Sequence, residues 1–81
     1  MADVRVRLRF FASLRERLGT SAERTVPRGT TAGAIWAEVV RAAPEVGRVT
    51  VRFAVNERYV ESEHRLADGD ELAVFPPVSG G

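Results

Sequence analysis

Val4, Val6, Leu8 and Phe10 alternate with Arg5, Arg7 and Arg9 at the head of the chain, the period-two pattern of a strand with one face buried and one in water. The alternation then stops. Ser13 precedes Glu16 by three residues, Leu14 and Leu18 stand four apart, and Gly19 follows; this capping-box spacing predicts a short helix of about two turns. Ala22 to Val26 reads as a second, shorter strand closed by Pro27, Arg28 and Gly29. Thr30 or Thr31 is placed to cap the next element. From Ala32, the apolar residues Ile35, Trp36, Val39, Val40 and Ala43 recur at helical spacing until Pro44 stops the run, so this is the main helix, with Trp36 expected as its largest core anchor. Val49 to Val55 alternates again, Asn56 and Glu57 supply a turn, and Arg58 to Val60 forms a short return strand. Asp68, Gly69 and Asp70 make a tight turn, after which Glu71 to Phe75 is the last strand.

The predicted order is strand, short helix, strand, long helix and three strands, an α+β chain in which one mixed sheet wraps a main helix. A β-grasp, with the first and last strands adjacent at the sheet centre, is the compact arrangement for that order. Residues 1–75 are expected to form this domain and 76–81 an extended tail. A chain of 81 residues buries only roughly 60% of the surface its unfolded state exposes, which leaves a thin core and no room for a deep cleft.

Composition narrows the chemistry. With no cysteine, disulfides, thiolate metal sites and cysteine nucleophiles are excluded, and any sulfur chemistry needs another protein as donor. A formal net charge of +1 does not by itself call for nucleic acid or membrane. No apolar run approaches the roughly 20 residues of a membrane span, and cytoplasmic residence is expected. Side-chain acid–base catalysis is poorly supplied, because the carboxylates are scattered and His64 is the single imidazole, in the polar stretch Glu61 to Arg65. Asp68 and Asp70 fall short of a calcium loop, which needs six to eight oxygens, and no metal site is expected.

The informative segment is the end: Phe75, Pro76, Pro77, Val78, Ser79, Gly80, Gly81. Pro76 and Pro77 cannot continue a ladder and favour an extended exit. Gly80 and Gly81 lack Cβ, so the tip can enter a channel too narrow for side chains. Arg5, Arg7, Arg9 and Arg52 fall on outward positions of the sheet, and Phe75 points out with them if Leu72 and Val74 face the core. An exposed aromatic ringed by arginines suits docking to a protein; with so few aromatics and near-neutral charge, nucleic acid is the weaker partner.

These features resemble the molybdopterin synthase small-subunit (MoaD) type of ubiquitin-like sulfur carrier, in the family that also includes ThiS. Phe10, Phe11, Ala12, Leu14, Arg15, Glu16 and Gly19 carry the likeness in the first half. Ala54, Val55, Asn56, Leu66, Asp68 to Glu71 and the Pro76 to Gly81 ending carry it in the second. The resemblance implies that Gly81 is the reactive residue. Its carboxylate would be adenylated by a ubiquitin-activating-like (MoeB-like) adenylyltransferase using ATP, then converted to a thiocarboxylate by a sulfur donor protein. The sulfur would pass to cyclic pyranopterin monophosphate in a MoaE-like large subunit, which supplies the catalytic lysine, so this chain would be a sulfur-carrying rather than a catalytic subunit with no cofactor of its own. Phe11, Arg15, Tyr59 and Phe75, with the tail residues Pro76, Pro77, Val78, Ser79 and Gly80, are the partner-facing positions by the same analogy. Service to thiamine, cysteine or tRNA thiolation, and conjugation of Gly81 to protein amines, are the alternatives; a β-grasp RNA-binding module is a third. All twelve basic residues are arginine. A compositional preference suffices to explain this, although an activated chain end would also gain from the absence of ε-amines.

Overall fold

The computed structural model describes residues 2–77. Its elements are β1 (Asp3–Phe10), α1 (Ser13–Leu18), β2 (Ser21–Pro27), α2 (Ala32–Ala42), a 3₁₀ helix (Pro44–Arg48), β3 (Arg52–Val55), β4 (Arg58–Val60) and β5 (Glu71–Phe75). The five strands form one sheet in the order β2-β1-β5-β3-β4. β1 pairs with β5 in parallel and every other pairing is antiparallel. The first and last strands therefore meet at the sheet centre, as the β-grasp order requires.

The inward residues of β1, Val4, Val6, Leu8 and Phe10, are all buried, and Leu72 and Val74 of β5 and Phe53 and Val55 of β3 join them. Ala32, Ile35 and Val39 of α2 close the other side of this single cluster. Their spacing of three and four residues puts them on one helical stripe. Thr31 caps α2, its Oγ1 accepting the Ala34 N–H at 3.1 Å.

Three expectations are corrected. Ser13 does not cap α1: the residue before the helix is Ala12, with φ 55° and ψ −132° and no side-chain hydrogen bond. The chain reverses sharply after β1, and the Leu14 N–H is satisfied by the Phe11 carbonyl at 3.1 Å. Trp36 is only half-buried, because it lies about 100° round the helix from Ile35, which faces the sheet and takes the anchoring role. Residues Val49 to Val51 are not strand. Pro44 opens a 3₁₀ helix that buries Val46, and the Val49 N–H donates back to the Val46 carbonyl at 3.1 Å, so pairing begins at Arg52.

The turns are built as the sequence indicates. Asn56 and Glu57 both have positive φ, 50° and 71°, the twist that a two-residue hairpin between β3 and β4 demands. Gly69 at φ 88° lets the Asp68–Gly69–Asp70 turn lie against β1. Its N–H donates to the Arg5 carbonyl at 2.7 Å, and Asp68 Oδ1 accepts the Arg5 N–H at 2.8 Å. Asp70 accepts from the Ala67 N–H at 2.7 Å and from Asn56 Nδ2 at 2.9 Å, while Asn56 Oδ1 accepts the Glu71 N–H at 3.0 Å. The acidic pair is spent on holding β5 in register.

Candidate docking face and tail exit

The sheet face away from α2 carries the odd-numbered residues of β1 and β5. Arg5, Arg7 and Arg9 are exposed, and Glu71, Ala73 and Phe75 are half-buried. Pairing aligns Arg9, Ala73, Ala54 and Tyr59 in one line across four strands. Two alanines thus floor the middle of the face, with long side chains standing at either side.

The aromatic residues gather where the chain leaves β5. Phe75 is paired across the ladder with Arg52, and its ring centroid lies 5.8 Å from that of Tyr59 at 48°, a tilted contact of favourable geometry. Tyr59 is 81% exposed, the one large hydrophobic residue left in water among the described residues. Arg52, Tyr59, Phe75 and Pro77 line a shallow recess around the exit. On the β1 side, Phe10 is paired with Val74, so Phe11 follows at the level of Phe75. The Arg9 guanidinium sits 5.3 Å from the Phe11 ring centroid and 3.8 Å from Glu71 Oε1. Arg9 is thereby held between an aromatic face and a carboxylate, a pairing visible only once strand order is known.

Of the partner-facing positions expected from sequence, Phe75, Tyr59 and Pro77 share one recess, with Phe11 level with Phe75 across β1 and β5. Arg15 stands apart, exposed on α1, and among the described residues no ion pair or cation–π contact joins it to them. Pro76 is half-buried and Pro77 exposed. Val78, Ser79, Gly80 and Gly81 lie outside the described residues. His64 is exposed in its loop, where its carbonyl accepts the Ala32 N–H at 2.9 Å. Among the described residues no polar or charged side chain is buried and no group of three potential metal ligands forms. Among the described residues, this face with its aromatic recess is the candidate surface for binding.

Residues 8–81 match the model of a single family, described as the ThiS family. The chain belongs to the ThiS family. Curated relatives match over nearly their whole length: the molybdopterin synthase sulfur carrier subunit of Aedes aegypti is 41% identical across 96% of this chain and 90% of its own. That of Escherichia coli is 37% identical across 94% and 99%. Among solved structures, a molybdopterin converting factor subunit 1 from Pyrococcus furiosus superposes with a TM-score of 0.82 at 30% identity, covering 93% of this chain and 99% of that one. Small archaeal modifier protein 1 of Haloferax volcanii gives 0.79 at 28%, over 93% and 99%. A complex of subunits 1 and 2 of the molybdopterin-converting factor of Helicobacter pylori gives 0.66 at 22%, over 96% and 100%, a likeness of fold. As a ThiS-family member of the molybdopterin synthase sulfur-carrier type, with a ubiquitin-like β-grasp, the chain has its aromatic cluster at the root of the family's C-terminal segment. No helix among the described residues is long and apolar enough to cross a membrane.

Proposed function

We propose that this chain carries sulfur for molybdenum cofactor biosynthesis in the cytoplasm, through the carboxylate of Gly81. A carboxylate resists attack because of its charge and its poor oxygen leaving group. One carboxylate oxygen therefore attacks the α-phosphorus of ATP on a MoeB-like enzyme, expelling pyrophosphate and leaving an acyl adenylate. Hydrosulfide delivered by a donor protein adds to the carbonyl carbon, the C–O bond to AMP breaks, AMP departs with the bonding pair, and a thiocarboxylate remains. Docked to a MoaE-like large subunit, the thiocarboxylate sulfur bonds to a carbon of cyclic pyranopterin monophosphate in place of an oxygen substituent, and water then cleaves the resulting thioester, leaving the sulfur on the pterin and a carboxylate at Gly81; two such rounds supply the two sulfurs. The observation that carries this reading is that the family match runs through residue 81, so the likeness takes in the chain end that would do the chemistry.

The aromatic recess supports docking beside the tail. Phe75 and Tyr59 offer apolar rings to a partner, while Pro76 and Pro77 favour an extended exit that would carry the two glycines into the partner's pocket. The Helicobacter pylori complex pairs its subunits 1 and 2, in keeping with a large-subunit partner. Likeness to small archaeal modifier protein 1 favours a second reading, in which the same activated Gly81 is joined to a protein amine.

The test is intact mass after incubation with a MoeB-like activating enzyme, ATP and a sulfur donor, for the full chain and for one lacking Gly81. A gain of one sulfur for one oxygen is expected in the full chain alone. Equal gain in the truncated chain would remove Gly81 from the mechanism. Isopeptide-linked products without a thiocarboxylate would favour the modifier.

A further inference from the structure

Of the two edges of the sheet, β4 forms one with 3 residues and β2 the other with 7. The Arg7 N–H donates to the Asp70 carbonyl at 2.9 Å and the Arg5 carbonyl accepts the Gly69 N–H at 2.7 Å, so the odd-numbered residues of β1 turn their backbone groups toward β5. The even-numbered ones turn toward β2, where the Phe10 N–H meets the Thr20 carbonyl at 3.0 Å. The register then pairs Leu8, Val6 and Val4 with Ala22, Arg24 and Val26. Because antiparallel bonding alternates along a strand, the N–H and C=O groups of Ser21, Glu23 and Thr25 point away from β1. Among the described residues no backbone group bonds to them. They make a row of donors and acceptors roughly 14 Å long, at 3.4 Å per residue, which an extended backbone would complete.

Beside this row lies a recess of about 110 Å³ between β2 and α2, lined by Arg24 and Val26 from the strand and by Ala34, Ile35 and Glu38 from the helix. Small-molecule sites run to roughly 300–1,000 Å³; this one has room for a side chain. Ala22, Arg24 and Val26 share the face of the buried β1 residues they pair with. A strand added outside β2 would send its alternate side chains to that same face, toward the recess. Val26 is half-buried there, while Arg24, Ala34 and Glu38 are exposed. Neither Arg24 nor Glu38 makes an ion pair among the described residues, whereas Glu23, on the opposite face, lies 3.6 Å from Arg7.

We infer that the β2 edge is a docking site for an extended segment of a partner protein. The segment adds antiparallel to residues 21–25, sets an apolar residue opposite Val26 at the recess and, two residues later, an acidic residue opposite Arg24. Opposite charges directly across an antiparallel pair attract and like charges repel. The same rule turns a second copy of this chain away, because the two antiparallel registers that engage most of the edge bring Glu23 against Glu23 or Arg24 against Arg24. β2 is separated from β5 by β1 and lies on the far side from β4 and its Tyr59. The recess is also toward the Asp3 end of the sheet, where Asp3 pairs with Pro27, while the aromatic cluster is at the Phe10 end. Both surfaces can therefore be occupied at once, and the inference does not depend on any chemistry at Gly81.

The experiment titrates the full chain, labelled with nitrogen-15, with a blocked nine-residue peptide of serine and threonine that carries isoleucine at its fourth position and aspartate at its sixth. A twin peptide has lysine at the sixth. The expected result is slowed amide exchange at Ser21, Glu23 and Thr25, with β4 undisturbed, and binding of the aspartate peptide at least about threefold tighter than its twin. Arg24→Glu should reverse that preference. Thr25→Pro removes one outward N–H without touching the β1 ladder, and Ala34→Leu fills the recess while keeping a good helix former; each should weaken the aspartate peptide about threefold or more. If one of these variants fails to fold, the other two still read the site. Absence of protection in β2 at millimolar peptide, protection of β4 instead, equal affinity for the twins, or dimerisation of the chain through β2 would each overturn the inference. The titration needs no activating enzyme or sulfur donor, so its failure is distinct from failure to gain sulfur in the preceding test.

Discussion

Ala12 holds φ 55° and ψ −132°, a region that costs a residue with a Cβ about 1–3 kcal/mol. The strain is local to the reversal that turns the chain from β1 into α1, directly after Phe11 on the docking side. Glycine adopts this backbone without the steric cost but loses more entropy on folding. Ala12→Gly is therefore expected to stabilise the fold by about 0.5–1 kcal/mol, measured as a rise in the urea midpoint at unchanged slope. The alternation of apolar residues with arginine over residues 4–10 was legible because each side chain's face follows from parity alone. The capping role assigned to Ser13 was not, because its spacing to Glu16 records nothing about the direction from which the chain arrives.

Among the elements, β5 is the one that others position. Its start is held by the Asp68–Gly69–Asp70 turn, and through Asp70 and Asn56 that turn is tied to the β3–β4 hairpin. Asp70→Ala removes the acceptor for both the Ala67 N–H and Asn56 Nδ2. The expected cost is about 1–2 kcal/mol, with faster amide exchange at the β3–β4 hairpin than in β1; uniform exchange across the sheet would argue against the coupling. The sequence marks these residues as a turn, since Asp and Gly favour one, but their partners lie up to 63 residues away and no local pattern names them. The 3₁₀ helix after Pro44 was missed for a related reason: five residues are too few to display a period.

At the scale of the molecule, one face of the sheet packs on α2 and the other gathers Arg9, Phe11, Phe75, Tyr59 and Arg52. Phe75 is half-buried against Tyr59, outside the main cluster, so Phe75→Arg should leave the domain folded. Truncating a central aromatic anchor commonly costs an interface about 2 kcal/mol or more, and the added charge increases the penalty. Calorimetry with a MoaE-like large subunit is expected to show binding weakened by about thirtyfold or more, the factor that corresponds to 2 kcal/mol. Unchanged affinity would remove Phe75 from the interface.

By itself the sequence determined the strand-and-helix order, the inward set of β1, and the absence of cysteine and lysine side chains. Each of these depends on neighbours in the chain or on residue types alone. Only the tertiary structure decided that β1 and β5 lie parallel at the centre, that Ile35 rather than Trp36 anchors α2, and that Arg9 sits between Phe11 and Glu71. Those outcomes depend on register between distant segments and on which stripe of α2 the sheet accepts, and both are settled by packing the whole core at once.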